Sequence, residues 1–546
     1  MSAEWSLAAA IDAVADAVPD REMLVWTSVR RTYAEVQQRT KGLGAFFRAR
    51  GLGVQRERAE LERWECGQSR VAVLLSNCPE YVETMIGAFR ARAVPFNVNH
   101  HYHPAEVAAL LDQIGTEAIV YHRRLGPLLT EAGLSDRLLV DVDDGSGVAP
   151  LSDSVPFAAA VATEWGADAA GVCALPTPWP DDLYLVCTGG TTGRPKGVLW
   201  RQGDIYVAGM GGAEDATVES IGATTVGPRR VWFAVPPLMH AAAQWTVFST
   251  LHNGGTVVLH DDAGPFDARA ILETVEREGV QLFAIVGDAY ARPLVDELRA
   301  RSYDLSALAQ MGTGGAMTSP DLKHALLELL PNLTIIDGYG ASETGGMAFG
   351  ASQRNAETRE FHGAAGAAVL SEDRSRFLEP GEDEIGWTAR VGRVPLGYLN
   401  DPDATERTFP IVDGRRVAVP GDRATIGADG AMVLLGRDSL VINSGGEKIF
   451  VEEVEEAVRR HPDVLDALVV GRPSERFGEE VVALVQCRPG TTVTGADVRA
   501  FVAETISRFK APRAVLLCDR IARHPSGKAD YRWAREAAVD AVEVGA

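Results

Sequence analysis

Cysteine is scarce in this chain of 546 residues: Cys66, Cys78, Cys173, Cys187, Cys487 and Cys518 are scattered, with no C-x-x-C pair among them. That spacing speaks against a disulfide framework or a zinc site and for reduced thiols in a cytosol. Positive charge is also in short supply, 53 Lys and Arg against 75 Asp and Glu, for a formal net charge of −22. A surface so acidic excludes a nucleic-acid backbone or an anionic membrane as the main partner. Long apolar runs are missing as well. Nothing approaches the ~18 residues a membrane-spanning helix requires, and the most apolar stretches, such as Val280 to Gly287, have the length of a strand. The first residues carry Glu4, Asp12 and Asp16 with no basic start, so they do not read as a secretory signal. The expectation is a soluble, cytoplasmic protein. What the chain does have is core material, 46% hydrophobic with 23% charged residues, a balance that excludes disorder.

Short apolar runs alternate with longer amphipathic segments along most of the length. Val71 to Leu75 precedes a helical Glu80 to Arg92, Gln281 to Val286 precedes Ala289 to Arg301, and Leu333 to Ile336 follows Asp321 to Leu330. Such alternation predicts βαβ units with buried strands, hence an α/β fold. Glu372 to Gly386 is rich in charge, Pro and Gly, and the short runs after it predict antiparallel β structure. After Gly421 to Gly436 the pattern restarts with a helix at Val451 to Arg460, strands at Asp466 to Val470 and Val481 to Gln486, and a helix at Gly495 to Ser507. The domains expected are therefore 1–436, large and built of several subdomains with a small β-rich part, and 437–546, small and α+β. The mixed-charge stretch Gly53 to Ser69 reads as a short solvated helix or loop.

The segment richest in chemistry runs from Leu183 to Gly197. A strand-like Leu-Tyr-Leu-Val-Cys leads into a loop with Thr188, Thr191 and Thr192, with Gly189, Gly190, Gly193 and Gly197, and with Lys196. Glycines let backbone N–H groups surround phosphate oxygens, hydroxyls add donors, and the lysine adds positive charge. The spacing is not that of a Walker A loop, because Lys196 stands between Pro195 and Gly197. A Gly/Thr-rich surface turn is the alternative for the loop taken alone.

From here the motifs continue in order: Pro237-Leu-Met-His240, Gly312-Thr-Gly-Gly-Ala316, Asp337-Gly-Tyr-Gly-Ala-Ser-Glu-Thr344 and Gly397-Tyr-Leu-Asn-Asp-Pro402. Gly421-Asp422, Gly436-Arg437, Ser444-Gly-Gly-Glu-Lys448 and Pro525-Ser-Gly-Lys528 close the series. With these motifs the chain resembles the adenylate-forming superfamily of acyl-CoA synthetases, adenylation domains and beetle luciferases over nearly its whole length. Details such as Ile442-Asn-Ser-Gly-Gly-Glu-Lys and Pro-Ser-Gly-Lys-Ala-Asp-Tyr-Arg-Trp533 resemble an actinobacterial branch that activates fatty acids and steroid side-chain carboxylates.

The resemblance implies an AMP-forming acid–thiol ligase that uses ATP, Mg2+ and CoA, and it assigns roles. Lys528 would bridge the substrate carboxylate and the α-phosphate, where two anions must be neutralised as they join. Glu343, with Thr191, would hold the magnesium ion, a hard cation that prefers carboxylate and phosphate oxygens. Ser342 would donate to the α-phosphate. Asp422 would accept from the ribose hydroxyls with Arg437 nearby, and Gly314, Gly315, Ala316, Asp337, Gly338, Tyr339 and Gly340 would line the adenine. Standing alone, Asp422 and Arg437 would read as a turn aspartate and a surface arginine. His240 would be a gate beside the acyl pocket and the pantetheine tunnel, not a base. Asp438 and Ser439 would form the hinge about which Ser444, Gly445, Gly446 and Lys448 swing to the thioester face.

Two positions depart from the pattern: Gly189, where most relatives have Ser, and Ser439, where many have Asp or Lys. Gly436-Arg-Asp-Ser-Leu440 imitates a phosphopantetheine attachment site, but strand-like flanks exclude the helical bundle of a carrier protein. His100, His101 and His103 read as a solvent-facing loop and not as a metal site. Small residues around His240 and Gly345, and the lack of basic side chains there, predict an apolar ligand of some bulk. A carrier protein in place of CoA, a non-catalytic sensor on the same fold, and a homodimer are the readings left open.

Overall fold

The computed structural model describes residues 4–162, 175–188, 195–316, 318–354, 361–444, 447–474, 477–524 and 527–543. Among the described residues the largest sheet has nine strands. Its centre is parallel, running Glu22–Trp26, Thr256–Leu259, Val231–Ala234, Leu282–Ile285, Gln310–Gly314 and Thr334–Ala341. A second sheet places Val94–Asn97, Arg70–Leu74, Ala118–His122, Leu138–Val142 and Val155–Pro156 side by side, all parallel. These are the apolar runs of the sequence, and Val71, Ala72, Val73 and Leu74 are all buried, as strands covered on both faces must be. The helix Pro79–Arg90 starts on a proline at its first position, where a missing N–H costs nothing. Its buried carboxylate Glu83 is held by Arg39, Nε to Oε1 2.8 Å.

Two smaller sheets complete the N-terminal part. Leu183–Thr188 and Lys196–Arg201 pair antiparallel and are joined by Gly397–Tyr398. Ala367–Leu370, Gly386–Val391, Arg415–Ala418, Asp422–Ile426 and Met432–Arg437 form the antiparallel sheet that the punctuation after Glu372 predicts. Met432–Arg437 ends in a single 3-10 turn, Asp438–Leu440, and the next strand, Ile442–Ser444, belongs to the last sheet. There the long strand Val464–Ser474 sends Ala467 and Val469 to one face and Leu468 and Val470 to the other, the two-residue period of a strand. The helices Val451–Arg459 and Gly495–Thr505 cover the first face and Tyr531–Ala537 the second. The fold is α/β, with a large N-terminal part and a small C-terminal one. Gly53 to Ser69 holds a 3-10 turn at Arg58–Glu60 and ends on the buried Gln68 and Ser69.

Candidate active site

The carboxyl ends of the parallel strands Leu282–Ile285, Gln310–Gly314 and Thr334–Ala341 form the floor of the site, the position that open α/β sheets give to ligands. The backbone here is too close-packed for side chains. A Cβ on Gly340 would lie 2.2 Å from the Gly345 carbonyl oxygen, so the hairpin from Thr334–Ala341 to Gly345–Ser352 closes only over glycine. Gly314, Gly315 and Ala316 leave the neighbouring strand end, and Gly338 sits in register with Gly314. Asp337 turns to the helix Pro320–Leu329, where Lys323 Nζ is 2.7 Å from its Oδ1.

Above the floor, two carboxylates are pre-positioned. Asp422, buried, accepts from Tyr339 Oη at 2.7 Å and faces Arg437 Nε at 3.3 Å, its register partner across the antiparallel pair. Tyr339 Oη also lies 3.0 Å from Thr388 Oγ1. Glu343 accepts from Tyr398 Oη at 2.8 Å. Burial and the neighbouring Glu343 push the Tyr398 phenol well above its usual range, so it stays a donor. The turn that carries Glu343 is itself fixed: the buried Trp200 donates Nε1–H to the Ser342 carbonyl at 2.9 Å. The buried Arg390 donates to the carbonyls of Thr344 at 3.0 Å and Gly346 at 2.7 Å. Lys196 Nζ sits 4.7 Å over the Tyr398 ring and 3.6 Å from Asp401 Oδ2, and Thr188 Oγ1 donates to the Lys196 carbonyl at 3.4 Å.

The C-terminal part reaches into this space. Lys528 follows Gly527, which adopts φ +78°, and a turn closes it, with Gly527 N–H donating to the His524 carbonyl and His524 N–H to the Lys528 carbonyl, each at 2.8 Å. The side chain arrives over Gly315, its Cε 4.0 Å from where a Cβ there would lie. The surrounding chain and the Arg437 guanidinium lower the Lys528 ammonium from its usual range, while Glu343 pulls the other way. His240 caps the helix Ala241–His252 with its backbone in extended geometry. Its Nε2 is buried and has no hydrogen-bond partner among the described residues. Burial first, then Lys528 and His101, lower its imidazole to about 4, so the ring is neutral at physiological pH.

The structure thus gathers Lys528, Glu343, Arg437, Asp422, Tyr339, Gly314, Gly315 and His240 around one space. Ser444 and Lys448 lie in the hairpin Ile442–Ser444 and Glu447–Ile449 of the C-terminal sheet. Ser439 lies in the 3-10 turn with Asp438. Gly189, Gly190, Thr191, Thr192, Gly193, Gly445 and Gly446 fall outside the described residues. One expectation is corrected: the loop with His100 does not simply face solvent. His100 is buried, its ring 4.3 Å from that of His101 and its Nδ1 without a hydrogen-bond partner among the described residues, with Arg124, His122 and His240 as its charged and titratable neighbours. His103 caps the helix Pro104–Ile114. Sequence reasoning also missed side chains that hold the site together. Tyr398 stood inside a quoted motif, and Trp200 and Arg390 were visible as polar-tipped residues within apolar strands.

Comparison with known proteins agrees with this geometry. A family model described as "AMP-binding enzyme" matches residues 11–383, and one described as "AMP-binding enzyme C-terminal domain" matches residues 453–528. The chain is 43% identical to the medium-chain acyl-CoA ligase Mig of Mycobacterium avium, covering 98% of each. It is 35% identical to the 3-oxocholest-4-en-26-oate–CoA ligase of Rhodococcus rhodochrous, covering 97% of this chain and 95% of that one. Among solved structures, the anthranilate CoA ligase AuaEII in complex with anthranoyl-AMP shares the fold, with a TM-score of 0.79, 18% identity and 98% coverage of both chains.

Proposed function

The chain belongs to the AMP-binding enzyme family, and we propose on that premise that it is an AMP-forming acyl-CoA ligase acting on an apolar carboxylic acid. The observation that supports this most directly is Lys528, carried over the nucleotide floor by a separate structural unit and faced by Glu343 and Arg437. In the first half-reaction a carboxylate oxygen of the acid attacks the α-phosphorus of ATP, and the bond to pyrophosphate breaks. Lys528 carries the positive charge that holds the two anionic reactants together, the kind of preorganised electrostatic term that dominates such steps. Ser342 donates to the α-phosphate, Asp422 accepts from the ribose, and the loop from Thr188 to Lys196 takes the outer phosphates.

The donor set fits a magnesium ion that arrives with the nucleotide. Glu343 presents a carboxylate as a hard ligand, with Thr191 as its companion, and no group of three or more His, Cys, Asp or Glu among the described residues forms a metal cage. The ion, when bound, screens phosphate charge. In the second half-reaction the chain beyond the hinge at Asp438 and Ser439 turns as the C-terminal unit, withdrawing Lys528 and presenting Ser444 to Lys448, while Arg437 stays with the strand Met432–Arg437. The CoA sulfur then attacks the acyl carbonyl carbon, the bond to AMP breaks, and the thiol proton leaves to solvent. Neutral His240, at the head of a helix lined by Ala241 and Ala243, borders the acyl chain and does not act as a base.

The relatives that activate medium-chain and steroid side-chain acids point to an apolar substrate of that kind. Pyrophosphate release with magnesium-ATP and a panel of fatty, aryl and steroid side-chain acids, each with and without CoA, tests the reading. CoA-dependent turnover with acyl-CoA as product supports it, and pyrophosphate without thioester would replace CoA by a carrier protein.

A further inference from the structure

Glu452 stands in the first turn of the helix Val451–Arg459, the first long helix after the hinge, yet its carboxyl lies against the strand before the hinge. The point a Cβ on Gly436 would occupy is 2.2 Å from Glu452 Oε2 and 2.5 Å from Cδ, so the seat exists only because residue 436 is glycine. Gly436 adopts φ +109°, a region that favours glycine, beside a bulge in its own strand, where Arg423 pairs with Gly436 and Ala424 with Leu434, leaving Leu435 as the extra residue. From this seat Glu452 Oε1 accepts a long hydrogen bond, 3.4 Å, from the backbone N–H of Arg437. Its Oε2 is buried with no hydrogen-bond partner among the described residues. Arg437 is in turn the register partner and ion-pair partner of Asp422. We propose that Glu452 is a positioning residue for adenylation: carried by the C-terminal unit, it fastens Arg437 beside Asp422 in this docked arrangement and does so in its protonated form.

Chemistry favours that form. An ionised carboxylate buried beside other carboxylates, with only backbone N–H donors, is poorly stabilised, whereas a neutral carboxyl costs less there. The groups that face Glu452 are Asp422 and Arg437 from the N-terminal sheet, Glu455 one turn along its own helix, and Tyr531 from the last helix. Burial first, then the charges of Glu455 and Asp422, push its carboxyl from 4.5 up to about 7, against its own backbone N–H and that of Arg437. Once the unit swings away, the carboxyl is hydrated and returns toward its usual value. Docking therefore takes up a proton between about pH 4.5 and about 7. Across that window rising pH weakens docking, and above it the effect is complete.

This inference rests on the two-step ligase reading, and the test separates the two. Dyes placed on the N-terminal and C-terminal units report docking by energy transfer, without any substrate, from pH ~5.5 to ~7.5. The wild type should lose docking by about 20-fold in the equilibrium constant over that range, since one proton is worth at most tenfold per pH unit and the slope ends near 7. Glu452→Gln, neutral and of the same shape, should stay docked throughout. In the half-reactions, the ratio of wild type to Glu452→Gln for thioester formation from supplied acyl-adenylate should rise with pH over the same range. Glu452→Ala, which empties the seat, should raise KM for ATP roughly 3- to 10-fold with little change in kcat, the scale of one hydrogen bond. A wild-type docking signal that is flat, or parallel to that of Glu452→Gln, overturns the proposal, and a Gln variant that fails to fold by thermal melting leaves the wild-type signal to decide. If docking follows pH while no acid yields acyl-CoA, the latch stands and the ligase reading fails.

Discussion

The two halves of the site are built by opposite means. On the N-terminal side every key carboxylate is already held. Asp422 is fixed by Tyr339 and Arg437, Glu343 by Tyr398, and the turn beneath Glu343 by Trp200 and Arg390. On the C-terminal side Lys528 rests on a turn closed by two backbone hydrogen bonds and by Arg523, which donates to the Gly527 carbonyl at 3.3 Å. The first half is preorganised, with dipoles and charges that need not rearrange when charge develops. The second half is lent to the site. On the two-step reading proposed above, a lysine whose charge has to appear for one half-reaction and vanish for the next is better placed on a unit that moves than on a fixed wall.

The comparison breaks most sharply at the loaned residue. Lys528→Ala should lower the adenylation rate by about 10²- to 10³-fold, the usual cost of removing one donor aimed at developing charge, while thioester formation from supplied acyl-adenylate stays near wild type. Equal loss in both half-reactions, followed by pyrophosphate exchange and by thioester assay, would erase the distinction between lent and fixed residues. Next comes the fixed half. Asp422→Asn keeps an acceptor for Tyr339 but loses the ion pair with Arg437. It should raise KM for ATP about 10-fold, the lower end for a hydrogen bond to a charged group, and change kcat less. A smaller effect belongs to Tyr398→Phe, which leaves the Glu343 carboxylate without that donor. About 3- to 10-fold is expected there, read as a shift of the half-saturating magnesium concentration toward higher values. A shift in KM for the acid instead would mean that Tyr398 serves the acyl pocket.

The α/β class was legible in the alternation of strand-length apolar runs with amphipathic helices, because strands buried on both faces leave no room for polar residues. The family was legible because the motifs that grip phosphate are backbone-dominated and so are written in glycines at fixed spacing. The supports of the site were less legible. Trp200 Nε1 meets the Ser342 carbonyl across 142 residues of sequence, and Tyr339 meets Asp422 across 83. No local pattern encodes such a meeting, which is set by how the sheets pack. Glu452 is the extreme case. On a solvent-facing helix it would be one more glutamate in Val451-Glu-Glu-Val-Glu-Glu, and only its seat on Gly436 distinguishes it from its neighbours. His100 failed for a related reason, since a polar loop was read as exposed and the packing of the wall buried it.

The finest test of the comparison is a pH profile, run in the Glu452→Gln background so that the latch does not titrate. His240 belongs to the fixed half. Its imidazole is lowered to about 4, so the neutral form predominates by pH 5 and is essentially complete by pH ~6, and nothing further happens to it up to pH 8. Lys528 belongs to the lent half, and its ammonium is also lowered from 10.5, by crowding and by Arg437. Rising pH therefore removes the catalytic charge sooner than for an ordinary lysine. The profile of kcat/KM reports the free enzyme, so its alkaline limb should fall below 10.5. In kcat the bound phosphates hold the proton on Lys528, and the limb should move back up. Between pH ~6 and ~8 both curves should be level, because neither group changes protonation there. An inflection near 6.5 that disappears in His240→Asn would show an imidazole titrating at its ordinary value. His240 would then be reached by solvent in the working enzyme and act as a base, and the fixed half of the site would be less fixed than its hydrogen bonds imply.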